Sequence, residues 1–309
     1  MRTVLLILIS IVSIIACSNK KEMKGNDVVT VNDGIPLQVT GTLIMHESIP
    51  SKFVASRNVT VWLPDGYANN LEKKYPVIYF MDGQNMFDPK TSYIGVDWAA
   101  DEWADKLIKS NQIREVILVG IWNTEKRVSE YFPQKASDFF EESITESIKR
   151  KFSEYEPLGD DYLKYLVFEV KPFIDSNYRT ESDQLNTMIG GSSMGGLISL
   201  YALSEYPQIF GTALCVSTHW PIGNGVVLNY FKKNLPKAGD HRIYFDYGTE
   251  TLDKEYEPYQ MIMDKIMSEK GYEVGQDWIT IRFPGDDHSE RSWRKRLGEV
   301  LQFALVKTN

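Results

Sequence analysis

Between an apolar run and a helix-like segment the chain reads Ile189-Gly190-Gly191-Ser192-Ser193-Met194-Gly195-Gly196, and this stretch restricts the fold more than any other. It fits G-x-S-x-G at Gly191, Ser193 and Gly195. A strand that turns at once into a helix needs neighbours nearly free of side chain, because the two backbones pass closely and the dihedrals at the turn are strained. Such a turn lifts a serine hydroxyl clear of the end of a sheet. Small-residue turns containing serine are common, so the weight of this one depends on its partners elsewhere.

The segments around it alternate. Continuous apolar runs, as expected of strands buried on both faces, occupy Tyr75 to Met81, Val116 to Trp122, Leu185 to Ile189, Gly211 to Val216, Ile243 to Tyr247 and Trp278 to Phe283. Leu37 to Ile49 and Phe53 to Leu63 read as an antiparallel opening pair. Helical patterns cover Trp98 to Lys109, Tyr162 to Asn177, Leu197 to Tyr206, Pro258 to Lys270 and Ser292 to Val306. The alternation predicts an α/β fold, a mostly parallel central sheet with helices on both faces, whose ligands bind beyond the carboxyl ends of the strands. A charged and aromatic segment, about 129–161, breaks the rhythm and carries Phe139, Phe140, Phe152 and Tyr155. It reads as a small helical insertion partly covering the site.

The N-terminal segment and the composition bound the rest. Arg2 and the apolar run from Val4 to Ala16 are too short for a spanning helix and read as a secretory signal. The run ends Ile14-Ile15-Ala16-Cys17, which resembles the bacterial lipoprotein signal. Residues 1–16 are then a signal peptide, Cys17 carries the lipid, 17–36 form a flexible tether and 37–309 the folded domain. The expected place is the bacterial cell envelope, with membrane contact only through that anchor. Cys215 lies in an apolar run and reads as a small core residue. Without Arg2 the chain carries 33 basic against 42 acidic residues, a net charge of −9, which argues against nucleic acid or an anionic membrane as partner. No cofactor is expected and no metal: acidic spacing is unconvincing, and Asp82 to Asp88 is too sparse for a calcium loop.

A serine hydroxyl attacks at neutral pH only when a base takes its proton. His46 lies in the opening pair, and His241 lies in a polar turn where solvation is expected. His288, in Pro284-Gly285-Asp286-Asp287-His288-Ser289, follows the last strand and precedes the last helix, so it is the candidate base. The acid should follow the next-to-last strand, where Gly248-Thr249-Glu250-Thr251-Leu252-Asp253 offers two carboxylates to fix the histidine tautomer. Asp253 is preferred, and Glu250 stays open. Serine, acid, histidine is the chain order of sheet hydrolases. Donors for a developing oxyanion are expected from the Met194 amide and from the Gln84 amide, in a loop where Gly83 permits close backbone approach.

With these motifs in order, the chain resembles the esterase family of α/β-hydrolases, which takes in feruloyl and acetylxylan esterases, enterochelin esterases and S-formylglutathione hydrolases. The matching segments are Asp82-Gly83-Gln84-Asn85-Met86-Phe87, Gly191 to Gly196, Gly248-Thr249-Glu250, and His288-Ser289-Glu290 with Trp293. The resemblance implies an α/β-hydrolase fold and ester hydrolysis through an acyl-enzyme, and leaves the ester open. The acid loop departs from it, with two carboxylates where many relatives carry one.

Trp122, Asn123 and Arg127, with Glu130 and Tyr131, follow one parallel strand, and His219 and Trp220 follow another, so all are expected to line the cleft. The tryptophans could stack on a sugar or an aromatic acyl group, with Arg127 contacting a carboxylate or hydroxyl. The expected substrate is a small-molecule or oligosaccharide ester, acetyl or feruloyl. A siderophore esterase of the enterochelin type and an acyltransferase with the same triad are the alternatives. A non-catalytic binding protein would have lost the base or the acid, and this chain has kept both.

Overall fold

The structure, a computed structural model, describes residues 40–143 and 156–306. The expected signal segment, Cys17 and the tether lie outside the described residues. β1 (Thr42–Ile49) and β2 (Arg57–Leu63) pair antiparallel, and β2 joins the remaining strands antiparallel through β4 (Ile117–Ile121). Beyond it the sheet is parallel, in the order β4, β3 (Val77–Met81), β5 (Thr187–Ser192), β6 (Thr212–Val216), β7 (Arg242–Gly248) and β8 (Trp278–Phe283). The chain leaves β3 to one side for β4, then returns past it to β5. That reversal opens a crevice at the carboxyl ends of β3 and β5, where ligands bind in open α/β sheets.

Side chains alternate across the sheet. Ile78 and Phe80 pack on one face with Trp98, Trp293 and Leu297, while Val77, Tyr79 and Met81 pack on the other with Leu197 and Ile198. Both faces are covered, which is why the strand sequences lack a polar stripe. α1 (Ala100–Lys109) and α8 (Glu290–Leu305) cover the first face. The second is covered by α2 (Arg127–Tyr131), α3 (Gly159–Tyr165), α4 (Lys171–Asn177), α5 (Met194–Glu205), α6 (Val227–Asn234) and α7 (Glu257–Glu269). α5 is buried continuously from Met194 to Leu203, as a helix apolar all round must be. The π-helical turn Leu166–Val170 joins α3 to α4.

The fold is the expected one, with local differences. β5 runs three residues past its apolar stretch, because Gly190 and Gly191 are strand residues whose neighbours leave no room for a side chain: a Cβ on Gly191 would stand 2.9 Å from that of Met81. α6 escaped the sequence reading, being a short amphipathic helix between Pro221 and Pro236. Within the segment expected to cover the site, Phe132 and Ala136 are buried in the core, and Phe139 and Phe140 pack against it. Its described residues pad the helical layer, and residues 144–155, with Phe152 and Tyr155, lie outside the described residues.

Candidate active site

Ser193 sits between the last residue of β5 and the first of α5, at φ 58 and ψ −119, a conformation that residues with a Cβ avoid. Backbone bonds over-determine it. Ser193 N–H donates to Val216 O at 2.9 Å, and Ser193 O accepts from Gly196 N–H at 3.1 Å and His219 N–H at 3.2 Å. Gly196 cannot be larger, since a Cβ there would come within 2.7 Å of Thr218 Oγ1.

The candidate base and acid, His288 and Asp253, lie in the loops after β8 and β7. His288 Nδ1 lies 2.6 Å from Asp253 Oδ1. The other oxygen, Asp253 Oδ2, accepts from Ser217 Oγ–H at 2.5 Å and from Gly248 N–H at 2.6 Å. Ser217 Oγ in turn accepts from Trp293 Nε1 at 3.1 Å and Arg296 Nη2 at 2.5 Å. Burial alone would raise the Asp253 carboxyl. The hydrogen bond and charge of His288, with those from Ser217 and Gly248, outweigh it and hold the group below the ordinary carboxylate value. Arg296, itself buried, also approaches Asp246 at 3.0 Å and Asp286 at 3.4 Å. The two loops are stitched together: Asp286 O accepts from the amides of Thr249 and Glu250, and the His288 amide donates to Thr251 Oγ1 at 2.9 Å.

Ser193 and His288 open on one cavity of about 460 Å³ at the carboxyl ends of β3, β4 and β5. Gln84, Asn123, Arg127 and Glu290 line it beside the apolar surfaces of Tyr93, Ile94 and Trp293. Arg127 grips Asp82 in a two-pronged ion pair, Nε to Oδ1 and Nη2 to Oδ2, each 2.7 Å, and Asn123 Nδ2 donates to the same carboxylate at 2.6 Å. Burial pulls the Arg127 guanidinium down, but the charge and hydrogen bonds of Asp82 prevail and raise it. Burial, then the nearby Asp82, keeps Glu290 above its ordinary value. Met194 N–H is the first amide of α5, and Gln84 N–H lies in the first turn of a short 3-10 helix, positions that lack an acceptor within their own helix. Gly83 packs on β4 so closely that a Cβ would meet Gly120 C at 2.1 Å.

Several expected site residues, the second candidate acid among them, are placed elsewhere. Glu250 is exposed, and it is Asp253 that meets the histidine. Trp122 turns towards β2, where Nε1 donates to Thr60 Oγ1 at 3.0 Å, and lines a separate cavity with Met45 and Phe87. Trp220 is 1% exposed, packed among Phe231 and Phe245 with Nε1 on Gln260. Glu130 is buried against Arg57, and the Tyr131 hydroxyl accepts from the Asp82 amide. His219 lies beside Ser193 but bonds to Tyr256. His241 is buried, with Nε2 2.9 Å from Pro207 O, because the polar turn folds back against the chain. Sequence reasoning quoted Glu290 in a motif without giving it a role and missed Ser217 and Tyr256, although Tyr256 follows Asp253 by one helical turn.

The family model described as "Putative esterase" matches residues 51–303. Uncharacterized protein YbbA of Bacillus subtilis (strain 168) is 23% identical over 269 residues, covering 85% of this chain and 98% of its own. A ferulic acid esterase structure superposes with a TM-score of 0.62 at 18% identity over 86% of this chain and 98% of its own. The enterobactin esterase FES from Shigella flexneri gives a TM-score of 0.62 at 18% identity over 87% of this chain, which spans 60% of that enzyme. At these identities the two structures attest the fold. The chain belongs to the esterase family matched over residues 51–303, and is a carboxylic-ester hydrolase of α/β-hydrolase fold.

Proposed function

We propose that the protein removes acyl groups, acetyl or feruloyl, from carbohydrate esters, with Ser193 as nucleophile, His288 as base and Asp253 as the acid that orients it. The observation that carries this reading is the 2.6 Å contact of His288 with buried Asp253 at the cavity that Ser193 also lines. Asp253 occupies Nδ1, which leaves Nε2 to take the serine proton as Oγ bonds to the ester carbonyl carbon. The amides of Met194 and Gln84 receive the negative oxygen. Collapse breaks the bond to the alcohol, which leaves with the proton from His288, and water then releases the acid by the same route. A carboxylate held ionised beside the histidine stabilises the imidazolium formed in each half.

The polar groups of Gln84, Asn123, Arg127 and Glu290 suit an alcohol rich in hydroxyls, and Tyr93, 86% exposed at the rim, offers a ring for a sugar face. A lipid on Cys17 would hold the enzyme in the cell envelope, near such polymers. The test is release of acid by purified protein from acetylated xylan, methyl ferulate and a catecholate siderophore ester, with Ser193→Ala as control. Turnover confined to the siderophore ester would overturn the carbohydrate assignment, and ester formation with added alcohols in place of hydrolysis would mark an acyltransferase. Loss of labelled-lipid incorporation in Cys17→Ser tests the anchor.

A further inference from the structure

Tyr256 stands next to the nucleophile and has no part in the scheme above. Asp253 and Tyr256 are joined by one 3-10 turn, the Tyr256 amide donating to Asp253 O at 2.9 Å, so a single turn delivers both side chains to the site. Tyr256 is 1% exposed. Its hydroxyl is 2.7 Å from His219 Nδ1 and lies within reach of the Ser193 side chain. Its ring meets His288 edge-on, with centroids 5.6 Å apart at 78°. His219 is fixed by its own amide, which donates to Ser193 O. The hydroxyl thus lies against His219, whose amide is bonded to Ser193 O, while the His288 imidazole packs edge-on with the tyrosine ring. Burial, and then the charge of Asp253, keeps the phenol protonated far above the neutral range, so it can donate but cannot serve as a base.

We propose that Tyr256, aligned by His219, is a catalytic hydrogen-bond donor to Ser193 Oγ that assists departure of this oxygen from the acyl-enzyme. The inference rests on Ser193 being the nucleophile. His219 Nδ1–H donates to the phenolic oxygen, and the phenolic O–H donates to Oγ. In deacylation, water adds to the acyl carbonyl and gives a proton to His288. The bond between the acyl carbon and Oγ then breaks, its electron pair passes to Oγ, and His288 returns the proton there. Tyr256 keeps its own proton and steadies Oγ while charge gathers on it. In acylation Oγ is the attacking atom, and a donor to its lone pair gives no such help. The loss on removing the hydroxyl therefore falls on the second half-reaction.

Pre-steady-state hydrolysis of p-nitrophenyl acetate separates the halves. Tyr256→Phe should slow breakdown of the acyl-enzyme about tenfold, lowering kcat and KM together while leaving kcat/KM within about threefold, with a p-nitrophenol burst near one per protein. His219→Ala should move the same constants in the same direction. His219→Asn, which keeps an N–H donor near the position of Nδ1, should recover most of the loss, with melting temperatures showing that each variant is folded. An unchanged deacylation rate in Tyr256→Phe, or an equal loss in kcat and kcat/KM, would overturn the proposal. If Tyr256→Phe does not fold, the histidine pair decides: equal rates for Ala and Asn would overturn it. Absence of serine-dependent turnover in the wild type would instead overturn the reading on which it rests.

Discussion

His288 Nδ1 lies 2.6 Å from Oδ1 of Asp253, which is fully buried, while Glu250, three residues earlier, presents its carboxylate to solvent. The two acids share a loop and differ in direction. Asp253→Asn, which removes the charge opposite the imidazole and disturbs its tautomer, should lower kcat on p-nitrophenyl acetate by about 10³ to 10⁴. Glu250→Gln should leave it within about twofold, as expected of an exposed charge. Equal losses in both would refute the assignment.

Ser193 is held at φ 58 by the turn rather than by its own preference. Ser193→Gly removes the Cβ that opposes this conformation. It should abolish ester turnover yet stabilise the fold by about 1 kcal/mol, a gain of about 2–4 °C in Tm by calorimetry. Ser193→Ala keeps the strain and should melt close to the wild type.

Arg296 is the cation among Asp246, Asp253 and Asp286. Arg296→Met leaves two carboxylates buried without it. Urea unfolding should report a loss of about 3–5 kcal/mol, the usual consequence of breaking one side of a buried pair. A loss below about 1 kcal/mol would mean that Ser217 and the loop amides suffice.

On α1, burial, followed by the hydrogen bond and charge shared with Asp101, pushes the Glu102 carboxyl far above its ordinary 4.5. A folded pKa above the unfolded one gives a contribution present in full below the unfolded value and lost as the pH rises towards the folded one. Glu102→Gln removes this dependence. Its Tm should exceed that of the wild type at about pH 8, and the advantage should shrink as the pH falls to about 4.5. Parallel Tm curves for the two proteins would contradict the buried proton.

Trp122 lies in a cavity apart from that of Ser193 and His288. Trp122→Ala should therefore leave KM for a small acetyl ester within about twofold, whereas Arg127→Ala, which frees a buried Asp82, should destabilise the protein by about 2 kcal/mol and alter KM. An unaltered KM in the second variant would remove Arg127 from the substrate surface.

Much of the fold was readable because strands buried on both faces write themselves as unbroken apolar runs; Trp278 to Phe283 coincides with β8. β5 was cut short because its last residues are glycine and serine, chosen for clearance from Met81 rather than for strand preference. Ser193 could be singled out as a candidate because it follows β5 directly, and His288 because it lies between β8 and the last helix. The side of the chain that a residue faces could not be read in the same way. Trp122 and Trp220 both follow strands, yet one turns to β2 and the other into the core. Glu130 looked like a cleft residue because its partner, Arg57, lies 73 residues away and carries no local signature. The choice between Glu250 and Asp253 depends on a single 3-10 turn that directs Asp253 inward.

The stitching between the loops after β7 and β8 has a mechanical consequence. Asp286 O accepts from two amides of the loop after β7, and Thr251 Oγ1 accepts from the His288 amide, so Asp253 and His288 are carried by loops tied to each other, while Ser193 sits on the turn that follows β5. The direction of the imidazole is therefore set by Asp253 and by backbone bonds between the two loops before any ester arrives.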